Sequence, residues 1–489
     1  MTLLPSIESD VVAAVPCDLF IAGEWRPASD AATFPVEDPA TTETLAEVAD
    51  ATAQDADAAL QAAHEAFQTW RHHPPRERGE ILRRAYELIV ARADELALLV
   101  TLEMGKPLAE AKAEVLYAAN FFRWYAEEAV RVNGRFTTSE TGQGRILTMA
   151  QPVGPCLFIT PWNFPLAMGA RKIGPALAAG CTIVVKPAEQ TPLSMLALAQ
   201  ILDQAGLPAG VLNILTTSAP AEIMPPLIND PRTRKLSFTG STEVGKILIA
   251  QSAQQVLRVS MELGGNAPFL VFSDADLDEA VAGAVIAKMR NGGEACVSAN
   301  RFLVHESVAV DFSRRLADAM GAFTLGRGTD AGVTLGPLID AEQRRKVVDL
   351  VDEAVGAGAE LLIGGKVPDR AGYFYEPTVL TGVSPDAQML HDEIFGPVAP
   401  ITTFTDDEEA ITRANETEYG LVAFVYTTNL KRAFNVIETL DTGMVGLNQG
   451  VVSNVAAPFG GVKQSGIGRE GGPEGMGEFL ETKYVAMNV

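Results

Sequence analysis

Positive charge is scarce in this 489-residue chain, where 38 Lys and Arg stand against 62 Asp and Glu for a formal charge of −24 at pH 7. A sequence-independent grip on nucleic acid or anionic lipid needs clustered cations, so neither is expected as a partner. Cysteine is scarcer still: Cys17, Cys156, Cys181 and Cys296 are the only four. None belongs to a C-x-x-C pair, and they are too scattered for a disulfide framework or a zinc site. The five histidines lack metal-ligand spacing, and His72-His73 beside Pro74-Pro75 reads as a polar turn, so no metal is expected. No stretch of about 18 apolar residues runs without a charge, Gly or Pro, which excludes a membrane-spanning helix. Residues 1–16 lack a basic n-region and carry Glu8 and Asp10, unlike a signal peptide. Together these absences predict a soluble, cytoplasmic protein in a reducing compartment.

With 47% hydrophobic and 20% charged residues, the composition is that of a globular protein, and the length exceeds what one core serves, which predicts about three domains. Residues 20–25 read as a short strand into a turn, and 34–37 as a second strand. Apolar and small residues from Ala58 to Phe67 recur at helical spacing, with Asp55 as a candidate cap. Two helical patterns follow, 76–102 and 108–130, with charged faces that read as solvated. Residues 131–149 are turn-rich and strand-like, an edge seeking a partner. From 156 to 272, strand-like runs at 156–160, 181–185, 211–215, 235–238, 258–261 and 267–272 alternate mostly with helical stretches. That alternation predicts a parallel, doubly wound α/β sheet with ligands at its carboxyl ends. Downstream, 277–291, 310–320, 341–357, 410–415 and 431–440 read as helices, 300–305 as a strand and 391–400 as a loop.

Two segments carry chemistry. Met261-Glu262-Leu263-Gly264-Gly265 offers a carboxylate beside paired glycines, and Gly292-Gly293-Glu294-Ala295-Cys296-Val297 offers a thiol beside another pair. A lone cysteine is usually a small core hydrophobe and a lone glutamate a solvated charge. Together they form a nucleophile and base set, with glycines that let backbone amides approach a reacting group. Upstream, Phe238-Thr239-Gly240-Ser241-Thr242-Glu243-Val244-Gly245 follows a strand and opens a helix, so its amides can face a pyrophosphate. It lacks the G-x-G-x-x-G pattern, and a structural turn fits the spacing equally. In Thr160-Pro161-Trp162-Asn163-Phe164-Pro165, Asn163 is a side-chain donor for an oxyanion or a turn residue before Phe164-Pro165.

The glutamate and cysteine segments, with their separation, resemble the signatures of the NAD(P)-dependent aldehyde dehydrogenase superfamily, and the likeness runs from Phe20-Ile21-Ala22-Gly23-Glu24-Trp25 to the end. The resemblance implies an α/β fold with a Rossmann-like cofactor domain (1–130 and 150–261), a catalytic α/β domain (262–475) and a small β oligomerisation domain (131–149 and 476–489). It implies a homodimer or homotetramer. It implies that Cys296 attacks an aldehyde, that Asn163 and the Cys296 amide hold the oxyanion, and that Glu262 activates water against the thioester. Trp162, Gly240, Ser241, Gly245, Glu393 and Phe395 are implied as cofactor contacts, with Lys186 and Glu189 at the adenosine ribose. A carboxylate there disfavours a 2′-phosphate, so NAD is expected over NADP, although Lys186 could equally hold that phosphate.

Substrate choice turns on Arg171, which lies in the charge-poor stretch 166–174 and needs an anion. Arg290 is a second such cation, and Ser453 a further donor. These three positions match the carboxylate-binding set of succinate semialdehyde dehydrogenases, as does the segment from Phe459 to Glu470; Phe459 joins the implied substrate contacts. The competing reading pairs both arginines with structural carboxylates. Ser298 stands where some members of that group carry a second cysteine, so no local disulfide switch is expected. The resulting expectation is oxidation of an ω-carboxylated aldehyde, succinate semialdehyde first. Glutarate semialdehyde, 2-oxoglutarate semialdehyde, a neutral aliphatic aldehyde and a non-catalytic protein retaining the fold are the alternatives.

Overall fold

The computed structural model describes residues 5–488; residues 1–4 and Val489, which bear on the readings of the N-terminal segment and of the last strand, lie outside them. Among the described residues the strands form four sheets. Five parallel strands make the body of the first, in the spatial order Arg258–Glu262, Lys235–Thr239, Cys156–Ile159, Ile183–Lys186 and Leu212–Ile214. From Cys156–Ile159 the chain winds outward one way through two strands, then returns to the other side at Lys235–Thr239. Chain order therefore reverses between those two neighbours. A crevice opens at such a switch point, outside the carboxyl ends of the strands. The turn holding Asn163 and the loop holding Gly240 leave from these two ends.

The second sheet runs Glu360–Ile363, Thr378–Thr381, Val398–Phe404, Ala299–His305, Ala267–Val271, Val422–Tyr426 and Met444–Leu447, parallel except at its first pair. Its core stacks Phe269 against Phe302, Phe312, Phe424 and Tyr426. The 267–272 run, expected in the first alternation, belongs here. An apolar run of five residues specifies a buried strand but not its sheet, and the four residues 263–266 are where the chain crosses. The reverse crossing occurs late: Gly466–Ile467 pairs antiparallel with Arg258–Glu262, bringing a segment from the far end of the chain against Glu262.

Leu480–Met487, Arg145–Pro152 and Arg135–Thr138 form a separate three-stranded antiparallel sheet, whose outer strand is exposed throughout. The helix over Ala53–Trp70 starts at Thr52. Asp55 is the third residue of a capping box with it rather than the cap itself. The 76–102 pattern divides at Arg92 into Pro75–Ala91 and Ala93–Met104. The loop expected over 391–400 ends at Pro397, where Val398–Phe404 begins.

The reading of solvated charged faces fails for Arg78, Glu114 and Glu128, and Glu103 and Lys106, between the two expected helices, are buried as well. Glu103 shows why. Helix Leu193–Gln204 has no side-chain cap of its own, and the Glu103 carboxylate accepts from the N–H groups of Leu193 and Ser194 at 2.8 and 2.9 Å. The helix dipole and these donors favour the anion, yet burial still pushes Glu103 up to about 8.

Candidate active site

Cys296, Glu262 and Asn163 line one cavity of about 220 Å³ at the switch point, together with Trp162, Gly240, Ser241, Glu393 and Phe395. The fold brings them from three directions. Asn163 follows the Cys156–Ile159 strand, Glu262 ends its own strand, and Cys296 precedes the Ala299–His305 strand of the second sheet.

The nucleophile is delivered by an unusual turn. Helix Leu277–Met289, capped by Asp276, gives way to three consecutive residues in the left-handed region: Asn291 (φ 56°), Gly292 (φ 61°) and Gly293 (φ 81°). Asn and Gly are the residues that adopt this backbone at least cost. At Gly293 a side chain would also collide with the Gly396 carbonyl. Gly265, in the glutamate segment, leaves room in the same way: a Cβ there would lie 2.5 Å from the Cys296 carbonyl oxygen. The paired glycines thus let the two catalytic segments touch.

Burial pushes the Cys296 thiol up to about 12, with the Arg171 guanidinium as the main opposing influence. Burial also raises Glu262 well above the usual carboxylate range, reinforced by the negative charge of Glu470, while Arg171 and Lys172 oppose it. Glu262 Oε2 has no hydrogen-bond partner among the described residues, and a Cβ on Gly460 would come within 2.8 Å of Oε1. Asn163 donates one amide N–H to the Glu294 carbonyl at 3.0 Å, and its Oδ1 accepts from the Phe164 N–H at 3.1 Å. That leaves its other N–H for a ligand. The Cys296 backbone N–H donates to nothing among the described residues. A thiol, two spare donors and an unpaired carboxylate oxygen in one cavity can add to a carbonyl, hold an oxyanion and deprotonate water.

The residues expected to contact a cofactor lie around this cavity and beyond it. Ser241 caps helix Thr242–Ser252 by accepting from the Val244 N–H at 3.3 Å. Behind it Gly245 lies flush with Leu263, where a Cβ would come within 2.5 Å of a methyl group. Glu393 accepts from the Gly265 N–H at 3.1 Å, and burial pushes it up to about 7. Phe395 sits at φ 57° with its ring edge-on to Trp162, centroids 5.3 Å apart. Gln343 holds that strained segment by donating to the Ile394 and Phe395 carbonyls at 3.1 and 2.7 Å. Gln343 and Lys346 line the cavity yet come from a helix that the sequence presents only as amphipathic, with no local signal of a site. Lys186, Glu189 and Gly245 do not line it. Lys186 is buried at its strand end and donates to Glu189 at 2.6 Å.

The proposed substrate residues divide. Phe164, Arg290 and Ser453 line a second cavity, about 410 Å³, with Tyr117 and Met289. Arg290 donates to Ser453 Oγ at 3.4 Å and lies 5.1 Å from the Phe164 ring centroid. It forms no salt bridge among the described residues. Arg171 has found its anion inside the protein, as the competing reading held: it pairs through Nε with Glu470, which Lys172 also contacts, and stacks 4.1 Å over Phe459. Burial opposes its charge, and Glu470 more than restores it. Arg171 Nη2 has no hydrogen-bond partner among the described residues. Neither Arg171 nor Phe459 borders the Arg290 cavity. Glu470 went unassigned in the sequence because its partners lie about 300 residues earlier.

A roomier groove of about 780 Å³ along Val310, Ser313 and Leu362 contains none of these residues. Its Arg314 and Arg413 are occupied by Asp311, Asp318, Glu409 and the Thr402 and Thr403 oxygens. Among the described residues no group of His, Cys, Asp and Glu is placed to hold a metal, and no helix is long and apolar enough to cross a membrane.

The chain is 57% identical to a succinate-semialdehyde dehydrogenase of Paenarthrobacter nicotinovorans, over 91% of this chain and 98% of that one. It is 48% identical to a glutarate-semialdehyde dehydrogenase of Pseudomonas aeruginosa, over 96% and 97% of the two chains. The crystal structure of an NADP-dependent enzyme from Escherichia coli superposes with a TM-score of 0.96 at 46% identity, over 98% of this chain and 99% of that one. Residues 25–485 match the family model described as the aldehyde dehydrogenase family. The chain belongs to that family, and it is an aldehyde-oxidising, NAD(P)-dependent oxidoreductase.

Proposed function

We propose that this enzyme oxidises an aldehyde bearing a remote carboxylate, succinate semialdehyde to succinate first, and that it does so through a thioester on Cys296 that water hydrolyses. The observation that carries the substrate assignment is Arg290: a cation with no salt-bridge partner among the described residues, set with Ser453 in a cavity lined by Phe164, Met289 and Val285 and also by Glu110 and Glu114, the latter already paired with Lys106. A guanidinium in such surroundings favours a ligand carboxylate.

Cys296, as its thiolate, attacks the aldehyde carbon. The free Asn163 N–H and the Cys296 amide receive the charge that develops on oxygen, which is where prepositioned donors count most. A nicotinamide held against Trp162, Glu393 and Phe395 would supply the acceptor for the hydride released from that carbon. Glu262 then removes a proton from water as it adds to the thioester, and the acid departs with the thiol restored. Burial raises the proton affinity of Glu262, which suits it to take a proton from water. Its presence also favours hydrolysis over acyl transfer to coenzyme A.

Gly240, Ser241 and Gly245 hold the pyrophosphate end, Lys186 and Glu189 the adenosine ribose, and Trp162, Glu393 and Phe395 the nicotinamide end. NAD is the preferred cofactor, because Lys186 is engaged by Glu189 rather than free for a 2′-phosphate. Glutarate semialdehyde is the second reading: one relative acts on it by name, and one methylene changes binding only modestly. Exposed Phe136, Met149 and Tyr484 on the three-stranded sheet favour self-association into a dimer or tetramer, and four unpaired cysteines favour a reducing, cytoplasmic setting.

Replacing Arg290 tests the assignment. Arg290→Ala is expected to raise KM for succinate semialdehyde about tenfold or more while changing KM for butanal less than about twofold, since only the acid loses a charge-assisted contact. Steady-state kinetics on both substrates give the answer, and equal effects would reduce Arg290 to a structural residue. Arg171→Ala should instead impair both substrates, because it removes one of the two cations paired with buried Glu470 and the cation that most favours the ionised thiol.

A further inference from the structure

Behind the Asn163 turn lies a buried polar network that the reaction as described does not use. Lys106 and Glu114, each 3% exposed, pair at 2.6 Å. The same ammonium donates to the Asn163 carbonyl at 2.8 Å and lies 4.0 Å from the Phe164 ring centroid. The other Glu114 oxygen accepts from the N–H groups of Leu166 and Ala167 at 3.0 and 3.2 Å, where helix Ala167–Ala179 begins without a side-chain cap of its own. From the opposite side, Asn291 Nδ2 donates both to the Asn163 carbonyl at 3.0 Å and to the Glu294 carbonyl at 2.9 Å. Asn163 Nδ2 donates to that Glu294 carbonyl as well.

The geometry therefore ties the Asn163 main chain and side chain to the segment that carries Cys296. A buried ion pair is a poor way to gain stability, since well-packed apolar groups of like volume usually do as well or better. What it supplies is direction: a charged donor fixes one carbonyl where an apolar contact would let it shift. An error of about 1 Å in a reacting geometry can cost about a hundredfold in rate.

We propose that the Lys106–Glu114 pair is a positioning device for the oxyanion donor, holding the Asn163 turn in register with the nucleophile segment during addition to the aldehyde. This rests on the assignment of Asn163 as an oxyanion donor. Lys106 and Glu114 touch no reacting atom; they act through Asn163.

The test is a double-mutant cycle. Lys106→Met with Glu114→Gln removes the pair without stranding one buried charge, and the double variant is made in the parent enzyme and in Asn163→Ala. In the parent, kcat is expected to fall about tenfold or more, with KM for the aldehyde and Kd for NAD each within about twofold. In the Asn163→Ala background the same change should cost less than about twofold, because the donor being positioned is already gone. Effects that multiply in full would overturn the proposal, since the pair would then act independently of Asn163. An Asn163→Ala enzyme with unimpaired turnover would instead remove the oxyanion assignment itself, a different and recognisable failure. Should the paired variant not fold, as judged by its thermal midpoint, Asn291→Gly asks the same question from the other side. It keeps a residue suited to φ 56° and removes the second donor to the Asn163 carbonyl. The same non-multiplicative pattern is expected, and a multiplicative one overturns the proposal.

Discussion

Cys296→Ala is expected to abolish aldehyde oxidation, a loss of about ten-thousandfold or more, while NAD still binds with nearly unchanged affinity. Cys296 supplies the only thiol among the described residues that line its cavity, whereas the groups expected to hold the dinucleotide come from other elements. Removing a sulfur from a cavity wall unties none of the contacts around Gly240, Glu393 or Phe395. Single-turnover absorbance at the NADH band, together with fluorescence titration of the cofactor, separates the two properties. Residual turnover above a hundredth of the parent's would assign the attack elsewhere. The parent itself should respond to pH in a specific direction. With the thiol pushed up to about 12, little is ionised at neutral pH, so the rate of the NADH burst should climb through the alkaline range until another step limits it.

Glu262→Gln should divide the reaction in two. The first turnover is expected to release about one NADH per active site, and steady-state turnover to fall at least about a hundredfold, the usual range for loss of a general base. Gln is nearly isosteric, and Glu262 Oε2 makes no hydrogen bond among the described residues, so the substitution removes a proton acceptor without leaving an unsatisfied partner there. Intact-protein mass spectrometry should find the acyl group trapped on Cys296, and added hydroxylamine should release it. A variant that loses the burst as well would place Glu262 in thiol activation rather than in hydrolysis. One that turns over normally would remove it from the chemistry.

The same residues show what could be read from the chain alone and what could not. Glu262, Cys296 and Asn163 were legible because each is bracketed by residues with a local reason to be there: glycines where two main chains cross, or a turn leaving a strand end. The strands were legible as apolar runs, but the separation of Arg258–Glu262 from Ala267–Val271 into different sheets was not, because pattern carries no information on pairing partners. Charge defeated sequence reasoning most often. Arg171, in a charge-poor stretch, needed an anion, and the anion is Glu470, about 300 residues later. Glu114 read as part of an exposed helical face and Lys106 as part of the break before it, yet they pair in the interior beneath the site. A side chain's partner depends on tertiary contact, and helical spacing cannot distinguish a solvated carboxylate from one that accepts the amides of another helix. Arg290 was the reverse case: both arginines looked alike in sequence, and only the fold shows that one is neutralised and the other is not.

Recognition of a remote carboxylate on the aldehyde is tested most directly by one comparison: kcat/KM of the parent enzyme for succinate semialdehyde against butanal, its neutral analogue of similar length, at saturating NAD. The expected result is a preference for the acid of tenfold or more, about 1.4 kcal/mol of differential transition-state binding. Equal values, or a preference for butanal, would contradict it: Arg290 and Ser453 would then not form a carboxylate site.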